Sequence, residues 1–457
     1  MEIAIWWIRR DLRLRDNPAL EEASRGKRVL PLFILDPILL SHPAEKRKSF
    51  LFEGLRSLAD AIAARGGQLL VREGNPVEVL QTTMAESGAA SIYAEEDFTP
   101  YARRRDGLVA ARLPLRLIHG LTVQPPLAVT KPDGTPYTVF TPFSKAWKAL
   151  PLPAPRQINS GTAFISQRFH SLPIPFEREP VTFPAGEAEA ERRLTQFLER
   201  RVYSYQEDRN RMDLEGTSTL SPYLRFGMLS ARVAAHHALE AMALAPDGAA
   251  RRSAETWLNE LIWREFYHAI LYHFPHVARE AFNPAMRSIA WRVAPRELQA
   301  WQEGLTGYPV VDAAMRQLRE IGWMHNRARM IVASFLSKDL LINWQEGERW
   351  FMRHLVDGDI AANNGGWQWT AGVGTDAAPY FRIFNPVLQS AKFDPRGDYI
   401  RRWVPELEHV PEEFIHEPWR MTPQQQRECH CIMARDYPAP LVDHTFARQR
   451  ALNTYRR

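Results

Sequence analysis

The stretch Ile3-Ala-Ile-Trp-Trp-Ile8, running directly into Arg9-Arg-Asp-Leu-Arg-Leu-Arg-Asp16, decides how the first part of the chain is read. A short apolar run rich in β-branched and aromatic side chains reads as a strand. Further short runs at 29–35, 68–71, 91–94 and Leu115–Ile118 alternate with helical stretches such as 50–64 and 77–85. Strands alternating with helices imply βαβ units and a mostly parallel sheet over residues 1–125. No G-x-G-x-x-G follows the first strand, so the usual dinucleotide fingerprint is absent. The charges of segment 9–16 are expected to form a solvated, self-paired cluster rather than a phosphate contact.

Residues 126–194 are rich in proline: Pro132, Pro136, Pro142, Pro151, Pro153, Pro155, Pro173, Pro175, Pro180 and Pro184 among them. Such spacing disfavours long helices and suits an extended connector. Thr138-Val-Phe-Thr-Pro-Phe143 within it is expected to pack. From Glu187 onward the apolar positions are periodic almost to the end, with no internal repeat. Residues 195–457 therefore read as one all-α domain.

A length of 457 residues fits two or three domains with a large core. Lys+Arg 58 against Asp+Glu 53 leaves a net charge of +5, which permits a polyanionic partner without demanding one. Cys429 and Cys431 cannot build a disulfide framework, and Cys429-His-Cys431 is too isolated for a closed zinc site, so reduced thiols and no metal are expected. The chain opens directly into its first strand-like run, and no apolar stretch is long enough to span a bilayer, so a soluble, cytoplasmic protein is expected. Ten of the 14 Trp lie between Trp257 and Trp403, a density that suits stacking and electron transfer as well as packing.

Four segments concentrate chemistry. Asp357-Gly-Asp-Ile-Ala-Ala-Asn-Asn-Gly-Gly-Trp-Gln-Trp369 joins two carboxylates, three side-chain amides, three glycines and two indoles. Gly365-Gly366 argues against a stable helix and for a turn that brings backbone close to a flat ligand. An acidic interhelix loop with two core tryptophans reads equally well. In Trp323-Met-His-Asn-Arg-Ala-Arg-Met330, a helix would put Trp323, Asn326, Arg327 and Met330 on one face, a mixture suited to something planar and anionic. Gly216-Thr-Ser-Thr-Leu-Ser-Pro222 ends in a helix-starting proline, where anions bind or Ser221 serves as an N-cap. In Trp257-Leu-Asn-Glu-Leu-Ile-Trp-Arg-Glu-Phe-Tyr267, Glu260 lies between two indoles, where it must pair, for instance with Arg264, or be used.

These segments, together with Trp6-Trp-Ile-Arg-Arg-Asp-Leu-Arg-Leu-Arg-Asp-Asn-Pro18, resemble the photolyase/cryptochrome family nearly end to end and in the family's order. The resemblance is closest to class I cyclobutane pyrimidine dimer photolyases. It implies an N-terminal Rossmann-like antenna domain (1–125), an interdomain connector (126–194) and a helical FAD-binding domain (195–457). By the same resemblance, Thr217, Ser218, Leu220 and Ser221 cradle the FAD pyrophosphate and Tyr205 touches the cofactor. Trp257, Arg264, Trp323, Asn326, Arg329, Asp357 and Asp359 join the flavin site, with Arg329 pairing to Asp357, Asp359 at the ring's polar edge and Asn363 at N5. Glu260, Trp263, Met330 and Trp369 would line the lesion pocket. Arg209, Arg264, Arg327 and Arg382 would clamp DNA phosphates. Trp367, Trp344 and Trp291 match a three-tryptophan electron chain, although each also reads as core.

The implied activity is light-driven splitting of cyclobutane pyrimidine dimers by an electron from excited, reduced FAD, in a monomer acting on flipped-out lesions in DNA. Three rivals stand beside it. A (6-4) photolyase of this family carries histidines where this chain has Asn326 and Met330. A cryptochrome photoreceptor often has a long tail, for which little room follows Asp443-His-Thr-Phe-Ala-Arg448. A flavoprotein electron carrier would not need the pocket of Glu260, Trp263, Met330 and Trp369. A second, antenna chromophore is expected to be possible. The Asn-Glu of a folate site is replaced by Tyr101-Ala102, which disfavours folate and leaves a deazaflavin, a second flavin or an empty site.

Overall fold

The structure, a computed structural model, describes residues 2–156, 162–176 and 183–456. Pro180 of the proline-rich stretch lies outside them. The sheet is built as the apolar runs imply: β1 (Ile3–Ile8), β2 (Arg28–Leu35), β3 (Leu70–Glu73), β4 (Ser91–Glu95) and β5 (Leu115–Ile118) pair in parallel in the order β3-β2-β1-β4-β5. The connector contributes a strand the sequence did not reveal, β6 (Ala163–Phe164), paired with Arg28 and Val29 of β2. Ile5, Leu30, Leu32, Leu70 and Ile92 are buried in the core under the sheet. Helices Pro18–Ser24, Pro76–Ser87 and Pro100–Ala110 each start with Pro, and Asn17, Asn75 or Thr99 accepts a first-turn N–H at each N-cap.

The carboxyl ends of β1, β2 and β4 converge where the strand order reverses, the usual ligand side of such a sheet. Segment 9–16 sits there and overturns the expectation of a solvated cluster: Asp11, Arg13 and Asp16 are buried. Arg13 Nη2 donates to Glu95 at 2.8 Å, Asp16 pairs with Arg232 at 2.8 Å, and Asp11 accepts from the Trp6 indole at 2.9 Å. The charges are neutralised by partners far along the chain, which lets them leave water.

The connector is anchored too. It forms the helix Phe140–Ala149, with Phe143 and Trp147 buried as the Thr138–Phe143 motif implies. Buried Glu265 accepts the Trp147 indole N–H at 2.7 Å and the backbone N–H groups of Val123 and Gln124.

The chain divides into two compact units, one of Met1–Ser204, Ser218–Pro275 and Val356–Ala361, the other of Tyr205–Thr217, His276–Leu355 and Ala362–Arg457. These units are cut differently from the stretches marked by composition, because the long helix Gly248–His273 packs on the connector helix. The second unit is helical, with Trp301, Leu318, Ile331, Leu336, Trp344 and Trp367 in its core. Cys429 and Cys431 are buried free thiols. Among the described residues, no helix is long and apolar enough to cross a membrane, and no group of three metal-ligating side chains occurs.

Candidate functional site

In the first unit, helix Gly248–His273, capped by the Asp247 side chain on the Ala250 N–H, carries Trp257, Glu260, Trp263, Arg264 and His268. Trp257 is buried against Phe197, with ring centroids 5.0 Å apart. Arg264 donates to the carbonyls of Leu121 at 3.0 Å and Leu224 at 3.4 Å. Trp263 stacks on Phe140 at 3.7 Å with 4° between planes. Phe140 was not singled out in the sequence; its spacing to Phe143 and Trp147 on one helix face is the signal that could have found it.

Asp359 is the electrostatic centre of this unit. Its Oδ1 accepts the Ala361 N–H at 2.9 Å, and its Oδ2 accepts from Arg10 at 2.5 Å. His268 Nε2 lies 3.8 Å and Arg225 Nε 3.9 Å away. Burial alone would raise the Asp359 pKa, but the guanidinium groups of Arg10, Arg225 and Arg264 hold it well below the usual carboxylate range. Burial lowers Arg225 to about 9 and His268 to about 3, so the imidazole is neutral. Burial also brings Arg47 down to about 10 against the pull of Asp357 and Asp359.

The Gly216–Pro222 motif passes from one unit to the other. A Cβ on Gly216 would fall 2.6 Å from the Asp208 carbonyl oxygen, so only glycine allows that approach. Thr219 takes a left-handed φ of 50°. Ser221 is not the N-cap but the first residue of the helix Ser221–Arg225, following Leu220, because the turn has already closed there. Thr217 and Ser218 are half-buried and Leu220 buried.

In the second unit, the helix containing Arg327 and Met330 begins at Asn326, so Trp323 does not share its face as the sequence implied. His325 ends the preceding turn by capping Asn326–Ser334, its Nδ1 accepting the Arg327 N–H at 3.1 Å. Burial, then Arg327 and Arg329, lower His325 to about 4. Trp323 stands edge-on to His325 at 6.5 Å. Arg329 Nε donates to the Met324 carbonyl at 2.9 Å, and Met330 is half-buried. Arg327 donates to Asn210 at 2.5 Å and lies over Phe393; burial, Arg209 and Arg382 lower it to about 10. Tyr205 is buried with the Arg209 guanidinium 5.6 Å from its ring centroid, and Arg382 is exposed.

Residues Ile360–Ala371 form a helix that runs through Gly365 and Gly366, contrary to the turn expected there. Side-chain bonds outweigh the glycine propensity. Asn363 Nδ2 donates to the Glu348 carbonyl at 3.1 Å, Asn364 to the Glu348 carboxyl at 2.9 Å, and Gln368 to the Val277 carbonyl at 3.0 Å. Trp367 is buried on the same helix, against Gly347, where a Cβ would sit 2.0 Å from the indole. Gly347 lies on the helix Trp344–His354, so Trp367 packs on the element that Trp344 begins. Trp291 is half-buried with Tyr455 edge-on at 6.0 Å, and Trp369 is half-buried. Trp301, edge-on to Trp367 at 6.1 Å, is a further indole that the sequence reading did not single out.

A flavin dinucleotide offers carbonyl and phosphate oxygens as acceptors, beside ring N–H groups that donate. The residues fit such a group. Among the described residues, Arg225 Nη1 and His268 Nε2 in the first unit, and His325 Nε2 in the second, are buried with no hydrogen-bond partner. The Asn363 amide is fixed through its nitrogen, which orients its carbonyl pole.

Residues 4–157 match the DNA photolyase family, and residues 257–457 match the FAD binding domain of DNA photolyase. The deoxyribodipyrimidine photo-lyase of Escherichia coli is 43% identical over 471 residues, covering 98% of this chain and 97% of its own. A bacterial class III photolyase structure from Agrobacterium tumefaciens gives a TM-score of 0.94 at 34% identity, covering 100% of this chain and 97% of that one. A Synechocystis cryptochrome structure gives 0.91 at 27% identity, covering 99% of each. With both halves matched and a relative of this identity aligned along nearly its whole length, the chain belongs to the photolyase/cryptochrome family.

Proposed function

We propose that the protein is a light-dependent deoxyribodipyrimidine photo-lyase that splits cyclobutane pyrimidine dimers in DNA. The observation that carries the reading is 43% identity to a photo-lyase over 98% of the chain, against 27% to the cryptochrome structure. Reduced FAD held at this site would supply a light-excited electron to open the cyclobutane ring and would take it back once the two pyrimidines separate. The chain's residues do the rest. Arg209, Arg264, Arg327 and Arg382 clamp phosphates, while the dimer leaves the duplex because its chemistry cannot be reached inside the stack. Glu260 donates or accepts a hydrogen bond at the lesion bases, Trp263 and Trp369 stack on them, and Met330 closes the wall. Tyr205, Thr217, Ser218, Leu220 and Ser221 hold the dinucleotide, with Trp257, Trp323, Asn326, Arg329, Asp357 and Asp359 around the ring and Asn363 at N5. The functional division stays antenna domain 1–125, connector 126–194 and FAD-binding domain 195–457. The protein works as a monomer in the cytoplasm.

Tyr101 donates its hydroxyl to Asp36 and lies under the Arg105 guanidinium, so this part of the antenna face is filled by the chain itself. That supports the expectation against folate and leaves a deazaflavin, a second flavin or an empty site open. Absorbance of chromophores released from the purified protein decides it.

Glu260→Ala tests the catalytic assignment. It should keep FAD and lower dimer repair per absorbed photon; lost FAD or unchanged repair refutes the role. Trp367→Phe should slow photoreduction of the oxidised enzyme by an external donor, yet leave repair by chemically reduced enzyme near normal. Undiminished photoreduction would mean the electron enters by another route.

A further inference from the structure

We infer that Phe140, on the connector helix, is a positioning residue that fixes the plane of Trp263 and thereby sharpens discrimination between dimer-containing and intact DNA. The inference rests on the reading above that Trp263 stacks on the lesion. Phe140 covers one indole face almost completely, at 3.7 Å between centroids and 4° between planes. Face-to-face pairs this close are less favoured than offset or edge-on ones, so their neighbours must hold them. The neighbours are present. Phe266 stands edge-on to both rings, 6.0 Å from Phe140 and 5.7 Å from Trp263. Tyr267 flanks the indole at 5.5 Å.

Phe140 is itself held. One helical turn on, Phe143 packs edge-on against Phe266 at 5.2 Å, and a further turn on Trp147 donates to Glu265 at 2.7 Å. The same carboxylate binds the backbone N–H groups of Val123 and Gln124, so the connector helix cannot slide along Gly248–His273 without breaking that network. Along this stripe Phe143 and Trp147 are buried, whereas Phe140 and Trp263 are only half-buried. The stack therefore lies at the open end of the interface, where it contributes less to the core than to the orientation of the indole. With one face occupied, a base can meet Trp263 only on the other, at a tilt Phe140 sets.

A preset indole need not be ordered when the lesion arrives. Losing that preorganisation should weaken dimer binding roughly ten-fold. The experiment measures affinities of FAD-loaded wild type, Phe140→Ala, Phe140→Tyr, Trp263→Ala and the Phe140→Ala/Trp263→Ala double variant. The probes are a duplex with one cyclobutane thymine dimer and the same duplex intact. Phe140→Ala should lose roughly ten-fold on the dimer duplex and less than about two-fold on the intact one, with FAD content unchanged. Phe140→Tyr should restore discrimination, and the double variant should bind no worse than Trp263→Ala, because the effect passes through the indole. Retained discrimination in Phe140→Ala, equal losses on both duplexes, or additive losses in the double variant would overturn the inference. Should Phe140→Ala fail to fold, Phe140→Leu keeps bulk without a flat face. Reduced discrimination there supports the role, and full discrimination refutes it. Wild-type protein with no preference for dimer DNA would instead sink the lesion-binding reading itself.

Discussion

Arg10, Arg13 and Arg232 each lie against a carboxylate, Asp359 at 2.5 Å, Glu95 at 2.8 Å and Asp16 at 2.8 Å, all buried in the first unit. Arg327, in the second unit, instead feels the repulsion of Arg209 and Arg382 after burial, and its pKa falls to about 10. Both groups are made of the same side chain, so the difference lies in their company. Charges that hold a fold together are neutralised from within. Arg327, close to charges of its own sign, would gain from an anion, and a phosphate backbone would supply one. The contrast is not one of exposure, since Arg327 is itself half-buried.

Breaking a pair of the first kind gives the largest effect. Asp16→Asn keeps the shape of a residue that sits at a left-handed φ of 46° but leaves Arg232 buried without its counter-charge. Removing one partner of a buried pair costs about 3–5 kcal/mol. Denaturant unfolding of the FAD-loaded variant should show a loss of that size, and a loss below about 1 kcal/mol would mean that the pairing is not what stabilises segment 9–16.

Glu348 occupies a third environment, half-buried beside Asn364 and Arg349, neither of which offsets its desolvation. Burial raises Glu348 to about 7, against the opposing hydrogen bond from Asn364 and the charge of Arg349. Between the ordinary carboxylate value and about 7, the folded protein keeps the Glu348 proton while the unfolded chain has lost it. Stability therefore falls as pH rises through that window and levels off above it, by on the order of 1–3 kcal/mol. Glu348→Gln keeps an acceptor for Asn364 and should remove this component. The melting temperatures of wild type and variant, measured from pH 4.5 to 8, should diverge; parallel curves would refute the burial of an ionisable proton here.

How far these features could be read from the sequence follows from where their partners lie. β1 and β5 were legible to the residue, β1 as a buried apolar run and β5 as a short apolar run whose middle residues, Arg116 and Leu117, are exposed. The fate of segment 9–16 was not, since Glu95, Arg232 and Asp359 lie roughly 80 to 350 residues away and no local pattern announces them. Gly365-Gly366 misled for the same reason: the bonds of Asn363, Asn364 and Gln368 that keep the helix come from other elements. Trp323 was placed on a helix because its spacing to Asn326 fits one, while the His325 cap that ends that possibility is a matter of backbone geometry. β6 was invisible because two residues of strand in a proline-rich stretch carry no periodicity. The candidate site residues stand in motifs that the sequence displays, whereas Phe140, the aromatic partner of Trp263, stands in a stretch expected only to pack.

The smallest effect on stability tests the other side of the comparison. Arg382 is exposed and its influence on Arg327 is repulsive, so Arg382→Ala removes no attractive pair that the fold depends on. Its unfolding free energy should stay within about 0.5 kcal/mol of wild type, as for surface substitutions generally. DNA binding should behave differently. If the side chain meets a phosphate, the slope of log affinity against log salt should become shallower by about one, and affinity for dimer-containing and intact duplex should fall by a similar factor, because phosphates carry no information about the lesion. Titrations of both duplexes at several salt concentrations measure this directly. An unchanged slope would remove Arg382 from the clamp. A loss confined to the dimer duplex would move it from the phosphates to the lesion pocket, and the like-charged cluster would then mark the lesion rather than the backbone.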